Sequence, residues 1–180
     1  IDLKLESVEI DAIFEECLSL LKTQANKQGI TLTYEGVASQ ALRADRVRLK
    51  QVLLNLVSNA IKYNRKGGKV HVETRKSDQP GYLKILVTDT GEGIAAHRLA
   101  ELFQPFNRLD AANTAIEGTG IGLYLCRQII ELMGGTIGVD SEPGVGSAFW
   151  FELPIGCRGS RSSSSRRPLP VTTRRRCRCN

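Results

Sequence analysis

The sequence predicts an α+β domain: a two-layer α/β sandwich in which a mixed, mostly antiparallel sheet of about five strands carries three main helices on one face. Three observations predict it. Three stretches place apolar residues at helical spacing. Several shorter stretches alternate apolar and polar residues as half-buried strands do. Some of those strands are separated only by turn residues, which makes hairpins. The order of elements is not the regular strand–helix alternation of a doubly wound fold.

Ser7-Val8-Glu9-Ile10 opens as a short alternating strand. Asp11 stands where it can cap a helix whose apolar residues Ile13, Phe14, Cys17, Leu18 and Leu21 share one face. Gly29 ends that helix, and Ile30-Thr31-Leu32-Thr33-Tyr34 alternates like a strand. A short strand follows at 41–44. Asp45 caps the second long helix, with Leu49, Val52, Leu53, Leu56 and Ala60 as its stripe, and Asn64 with Gly67-Gly68 stops it. Strands at 70–75 and 83–88 form a hairpin through Ser77-Asp78-Gln79-Pro80-Gly81. Residues 95–102 read as a short helix, and 107–119, which show no periodicity, as a mobile loop. A third helix runs from about Gly122 to Met133 and stops at Gly134-Gly135. Strands at 136–140 and 147–153 flank the turn Glu142-Pro143-Gly144-Val145-Gly146 and close the domain.

The 180 residues fit one domain with a real core, and 41% apolar content is ordinary for a globular protein. No apolar run approaches the ~20 residues that cross a bilayer, and no secretory signal opens the chain. Ile1 stands without a methionine, so a fragment of a longer protein is expected. The net charge of +6 belongs to residues 156–180, which hold eight arginines and no acid. Without them 17 basic residues face 19 acidic ones, a net of −2. Nothing in the body therefore suggests a nucleic-acid surface, and no nucleic-acid partner is expected. The tail, with its run Ser162–Ser165 and cluster Arg174-Arg175-Arg176, lacks the periodicity to fold alone and is expected to be disordered. It reads first as a cloning or reading-frame artefact and otherwise as a basic arm. Cys157, Cys177 and Cys179 lie in it, whereas Cys17 and Cys126 fall in helical patterns and read as buried thiols. No spacing suggests a zinc site or a disulfide framework, which fits a reducing compartment.

Four groups of residues carry possible chemistry. Asn55 and Asn59 lie one turn apart on one side of their helix, with Lys62 and Tyr63 close to that side. Amide oxygens are hard neutral ligands suited to Mg²⁺, which takes its other ligands from phosphate and water. A lysine there neutralises phosphate charge, and a tyrosine packs against a flat base. A plain polar helix edge is the other reading. Asp89 ends a strand before Gly91 and Gly93. Its carboxylate can accept from an exocyclic amine, and the glycines admit a base close to the backbone; a capped turn is the simpler alternative. Gly118-Thr119-Gly120-Ile121-Gly122 leads into a helix N-terminus and can offer amides to phosphate. It is not a dinucleotide fingerprint, since Leu123 stands at the third glycine, and it lacks the Gly-Lys-Ser/Thr of a P-loop. A bare hinge is its other reading. Phe103-Gln104-Pro105-Phe106 can anchor a lid or simply pack in the core.

In this order and spacing the groups resemble the ATP-binding catalytic domain of sensor histidine kinases, in the superfamily of gyrase, heat-shock chaperone and mismatch-repair ATPases. The resemblance covers about residues 4–155. Asn55 to Asn64 is similar to the asparagine box, Asp89 to Gly93 and Gly118 to Gly122 to the glycine boxes, Phe103 to Phe106 to the phenylalanine box, and Pro143 to Pro154 to the closing hairpin. It implies a sandwich of the Bergerat type and the cofactors ATP and Mg²⁺. It implies that Asn55 and Asn59 hold the metal and, with Lys62, serve catalysis. Lys62 and Tyr63 meet phosphate and adenine, and Asp89 takes the adenine amine. Residues 107–119 form the ATP lid. Gly91, Gly93, Ile94, Phe106 and Leu123 line the nucleotide, Gly118, Thr119, Gly120, Ile121 and Gly122 the phosphates, and Ser147 the base side through water.

Hydrolysing members of the superfamily place a glutamate base four residues before the conserved asparagine. Asn55 stands there instead, and an amide cannot take that proton. The implied reaction is transfer of the γ-phosphate to a histidine on a separate dimerisation domain, then to a response regulator receiver, with slow hydrolysis. That histidine is absent: His71 lies in a strand pattern, and His97 lacks a helical His-Glu signature. The phosphoacceptor helices are expected to precede Ile1, with residues 1–10 as the segment after them. A cytoplasmic, monomeric domain without membrane contact is implied. An anti-sigma-type serine kinase of the same fold and a non-catalytic nucleotide-sensing module stay open as alternatives.

Overall fold

The computed structural model describes residues 2–36, 40–105 and 121–156. The elements are strand β1 (Glu6–Glu9), helix α1 (Ile10–Lys27), strands β2 (Thr31–Glu35) and β3 (Ala41–Ala44), helix α2 (Arg46–Lys62), strands β4 (Lys69–Lys76) and β5 (Tyr82–Asp89), the short helix α3 (Ala96–Leu99), helix α4 (Gly122–Leu132), and strands β6 (Thr136–Glu142) and β7 (Gly146–Pro154). The predicted tail from Cys157 onward and the predicted loop at 107–119 lie outside the described residues.

The α+β sandwich holds. One sheet runs in the order β2-β4-β5-β7-β6, with β2 parallel to β4 and every other pair antiparallel. The short strands β1 and β3 form a separate antiparallel pair, tied to the main body by the Leu42–Ile155 bridge. Residues of one phase along the sheet are buried: Val70 and Val72 on β4, Leu83, Ile85 and Val87 on β5, Phe149, Phe151 and Leu153 on β7. They meet the apolar faces of α1, α2 and α4, whose Ile13, Phe14, Leu53, Leu56 and Ile130 are closed off from solvent. Cys17 and Cys126 sit in that layer as free thiols. Burial pushes them up to about 11 and about 12, respectively, so they are inert packing groups.

Helix starts divide in an instructive way. Asp45 caps α2, its Oδ1 accepting from the Arg48 N–H at 3.0 Å. Asp11 does not cap α1, which begins one residue earlier at Ile10 with Glu9 in the cap position and no side-chain cap. Ile10 is fully buried and is drawn into the helix by the core. Asp11 instead accepts from the Tyr34 hydroxyl, whose ring stacks on Phe14 at 4.5 Å.

Candidate functional site

Asp89 is the last residue of β5 and falls in the buried phase of that strand, 8% exposed and directed into the helix layer. Across the sheet it pairs with Ser147 on β7 and Val70 on β4. Its Oδ1 accepts from the Gly91 N–H at 2.8 Å. Burial raises its pKa above the usual carboxylate value, against the opposing pull of the backbone N–H groups of Gly91 and Ser147.

The glycines around Asp89 mark places where backbone meets backbone. A Cβ on Gly91 would fall 2.4 Å from the Tyr63 carbonyl oxygen. Gly93 has φ +72, and a Cβ there would fall 2.1 Å from the Glu142 carbonyl oxygen. A Cβ on Gly146 would fall 2.0 Å from the carbonyl oxygen of Asp89 itself. The space that the sequence reading reserved for a base beside Gly91 and Gly93 is thus filled, on the Cβ side, by the end of α2 and the β6–β7 turn.

Two polar clusters fasten this loop. On one side the Thr90 hydroxyl accepts from the Lys69 N–H at 2.9 Å and donates to Asn64 Oδ1 at 3.2 Å, while Asn64 Nδ2 donates to the Lys69 carbonyl at 3.0 Å. On the other side the Ser141 hydroxyl accepts from the Ile94 N–H at 2.8 Å, donates to the Gly146 carbonyl at 3.0 Å, and lies 2.8 Å from Ser147 Oγ. The Gly144 N–H donates to the Glu92 carbonyl at 2.7 Å and closes the turn onto the loop.

The other half of the site is built on α2. Asn55 and Asn59 are half-buried beside the apolar stripe, and Asn59 Nδ2 donates to Asn55 Oδ1 at 3.2 Å. Gly122, the first residue of α4, abuts this pair: a Cβ on it would fall 2.4 Å from Asn55 Nδ2. Among the described residues no side chain caps α4. Lys62 is exposed in the last turn of α2, and Tyr63 follows with 55% of its surface exposed. Helix α2 therefore links the two halves, Asn55 touching α4 and the Tyr63 carbonyl touching Gly91.

The structure brings Asn55, Asn59 and Gly122 together, and Asp89, Gly91 and Ser147 together. Ile94 and Leu123 pack partly buried against the core. Phe103 meets Phe149 edge-on at 6.5 Å and is anchored by core packing. Phe106, Gly118, Thr119 and Gly120 lie outside the described residues; Ile121 occupies the cap position of α4. His71 shares a 2.8 Å hydrogen bond with Thr33 and alternates with buried Val70 and Val72, which places it on the sheet face away from the helices; His97 is exposed on α3. Thr90 and Ser141 escaped the sequence reading. For Ser141 a signal existed: the turn 142–146 sets Ser141 opposite Ser147. Among the described residues no group of three or more His, Cys, Asp or Glu can hold a metal. No helix among them is long and apolar enough to cross a membrane.

The profile of the histidine kinase-, DNA gyrase B- and HSP90-like ATPase family matches residues 44–156. The chain is 36% identical over 154 residues to the sensor histidine kinase ZraS of Klebsiella oxytoca, covering 85% of this chain and 32% of that protein. It is 36% identical over 157 residues to the non-motile and phage-resistance protein of Caulobacter vibrioides, covering 86% of this chain and 19% of that one. The chain thus spans a fifth to a third of these two relatives. Among solved structures, full-length ShkA in complex with AMPPNP superposes with a TM-score of 0.78 at 32% identity, covering 88% of this chain and 32% of that one. The catalytic domain of histidine kinase ThkA superposes at 0.74 with 30% identity, covering 84% of this chain and 96% of that one. ThkA in complex with the response regulator TrrA superposes at 0.69 with 28% identity, covering 86% of this chain and 42% of that one.

Proposed function

The chain belongs to the histidine kinase-, DNA gyrase B- and HSP90-like ATPase family as a histidine kinase ATP-binding catalytic domain, and on that premise we propose that it binds Mg-ATP between α2, the Asp89 loop and the start of α4 and donates the γ-phosphate to a histidine on a dimerisation domain. A response regulator receiver then takes the phosphoryl group, as the pairing of ThkA with TrrA suggests by likeness. The observation that carries the proposal is Asp89, a carboxylate held at the end of a central strand among backbone groups. An acceptor so fixed suits an exocyclic amine, and ShkA was solved with an adenine nucleotide analogue.

The roles are assigned by the resemblance to the family. Asp89 receives the adenine amine, with Ile94, Leu123, Phe106 and Ser147 around the base, Gly91 and Gly93 letting the loop behind it pack tightly, and Tyr63 against its face. Gly118, Thr119, Gly120, Ile121 and Gly122 supply amides to the phosphates at the uncapped start of α4. Asn55 and Asn59 would hold Mg²⁺. The donor set fits: two neighbouring amides suit a cation that keeps water and phosphate oxygens as its remaining ligands. When bound, the ion supplies charge neutralisation to the phosphates. Lys62, exposed beside them, adds a second positive charge. With Asn55 in place of a general base, water is not activated, and catalysis rests on positioning and charge. The domain is read as cytoplasmic and monomeric, with residues 156–180 outside the catalytic unit.

Nucleotide titration by calorimetry, with and without Mg²⁺, tests the binding step. ATP should bind with a Mg²⁺-dependent gain that Asn59→Ala removes, leaving metal-free binding nearly intact. Supplying a histidine-bearing dimerisation domain should then yield acid-labile phosphohistidine, while the chain alone turns ATP over slowly. Tight ATP binding without transfer would favour a nucleotide-sensing module, and rapid hydrolysis lost in Asp89→Asn would contradict the kinase reading.

A further inference from the structure

We propose that Ser141 is a specificity-determining positioning residue: its hydroxyl fixes the direction of the Ser141–Ser147 hydrogen bond and so makes Ser147 Oγ an acceptor towards the base. The inference rests on the reading that the base binds at Asp89. A serine hydroxyl has one proton and two lone pairs. Ser141 Oγ has three partners: the Ile94 N–H at 2.8 Å, the Gly146 carbonyl at 3.0 Å and Ser147 Oγ at 2.8 Å. The Ile94 amide can only donate and the Gly146 carbonyl can only accept. One lone pair of Ser141 and its single proton are thereby spoken for. The remaining lone pair must take the proton of Ser147, although the geometry of that pair alone permits either direction.

Two consequences follow. Ser147 has no proton left to donate, so beyond Ser141 it offers lone pairs only. Ser147 also stands opposite Asp89 in the sheet register and is itself 7% exposed. Two neighbouring strands then present acceptors at one point. Such a pair favours an edge bearing N–H donors, as adenine has in its exocyclic amine, over one that presents a carbonyl there, as guanine does. Discrimination is shared between a carboxylate that the sequence announces and a hydroxyl whose polarity is set one strand away.

The experiment is the ratio of ATP to GTP dissociation constants in the full chain, for variants with unchanged circular dichroism. Ser141→Ala frees the Ser147 proton and should shrink the preference for ATP about three- to tenfold, the worth of one hydrogen bond. Ser141→Thr keeps the hydroxyl and should keep the ratio. In the Ser141→Ala background, Ser147→Ala should change the ratio little further, because the two residues act through one bond. A merely structural role for Ser141 weakens ATP and GTP binding in parallel, and an unchanged ratio overturns the inference. Should Ser141→Ala fail to fold, Ser147→Ala in the native background must shrink the ratio by the same factor, and its failure to do so is equally decisive. Asp89→Asn separates the levels: if it moves the ratio and the Ser141 and Ser147 variants do not, only this inference falls, whereas if it too leaves the ratio unchanged, the site assignment falls.

Discussion

Asp45 at the start of α2 and Asp89 at the end of β5 are equally hidden, each 8% exposed, yet the fold treats their charges in opposite ways. Asp45 receives backbone N–H groups on both oxygens, from Arg48 at 3.0 Å and Lys4 at 2.9 Å. The Arg48 amide is the main cause that holds its pKa below the usual carboxylate value. It also stands at a helix N-terminus, where negative charge is welcome. Asp89 is the last residue of a strand rather than a helix cap, and burial outweighs its two backbone donors. One carboxylate is satisfied by the fold and stabilises it. The other sits where burial works against its charge, and carboxylates so placed are enriched at functional sites.

The sharpest way to break the contrast is Asp89→Asn. It should weaken ATP binding about 10- to 100-fold, the range for a hydrogen bond to a charged group, and erode the preference over GTP because an amide can also donate. The same variant should melt at a higher temperature than the native chain without nucleotide, since it removes a carboxylate whose charged form burial disfavours. Calorimetry and a thermal melt at pH 7 read the two effects, and a fall in both would return Asp89 to the structural class. Asp45→Ala should do the reverse, costing about 1–2 kcal/mol of stability in urea unfolding through the lost cap, with nucleotide affinity below the transition unchanged. The smallest effect is in the pH dependence. The Asp45 contribution is present above its unfolded pKa and is lost as pH falls through its depressed folded pKa. Asp89 works the other way: its contribution is fully present below its unfolded pKa and is lost as pH rises through its raised folded value. Acid titration of the native chain beside Asp89→Asn should therefore show the native chain regaining stability relative to the variant above the usual carboxylate range, before both lose the Asp45 contribution at lower pH.

The elements were legible because each has a local cause. The α2 cap, the stripe Leu49–Ala60 and the hairpin turns at 77–81 and 142–146 all appear in the structure near their expected places. Asp11 misled because capping chemistry is local, whereas the start of α1 is decided by burial of Ile10. The division of strands into a sheet of five and a pair of two was not legible, since alternation shows that a strand exists and not which strand it joins. In the site, Asp89, Asn55 and Asn59 stood out as polar residues at the edges of apolar patterns. The purpose of Gly122 did not, because its missing side chain makes room for Asn55, which is distant in sequence. The link between Thr90 and Asn64 was hidden for the same reason: it joins the end of α2 to β4 and β5 by hydrogen bonds that no spacing rule encodes.

The place of β7 between β5 and β6 has a consequence for the order in which the protein becomes competent. During synthesis, at roughly 5–20 residues per second, α1, α2 and the β4–β5 hairpin emerge well before residues 146–154. Until those residues arrive, one edge of β5 lacks its neighbour, and Asp89 lacks the strand that faces it through Ser147. Pairing across so long a stretch of chain is also slow. The proposed acceptor pair is therefore completed only when β7 is inserted, which would couple the proposed recognition of a base to the sheet being whole.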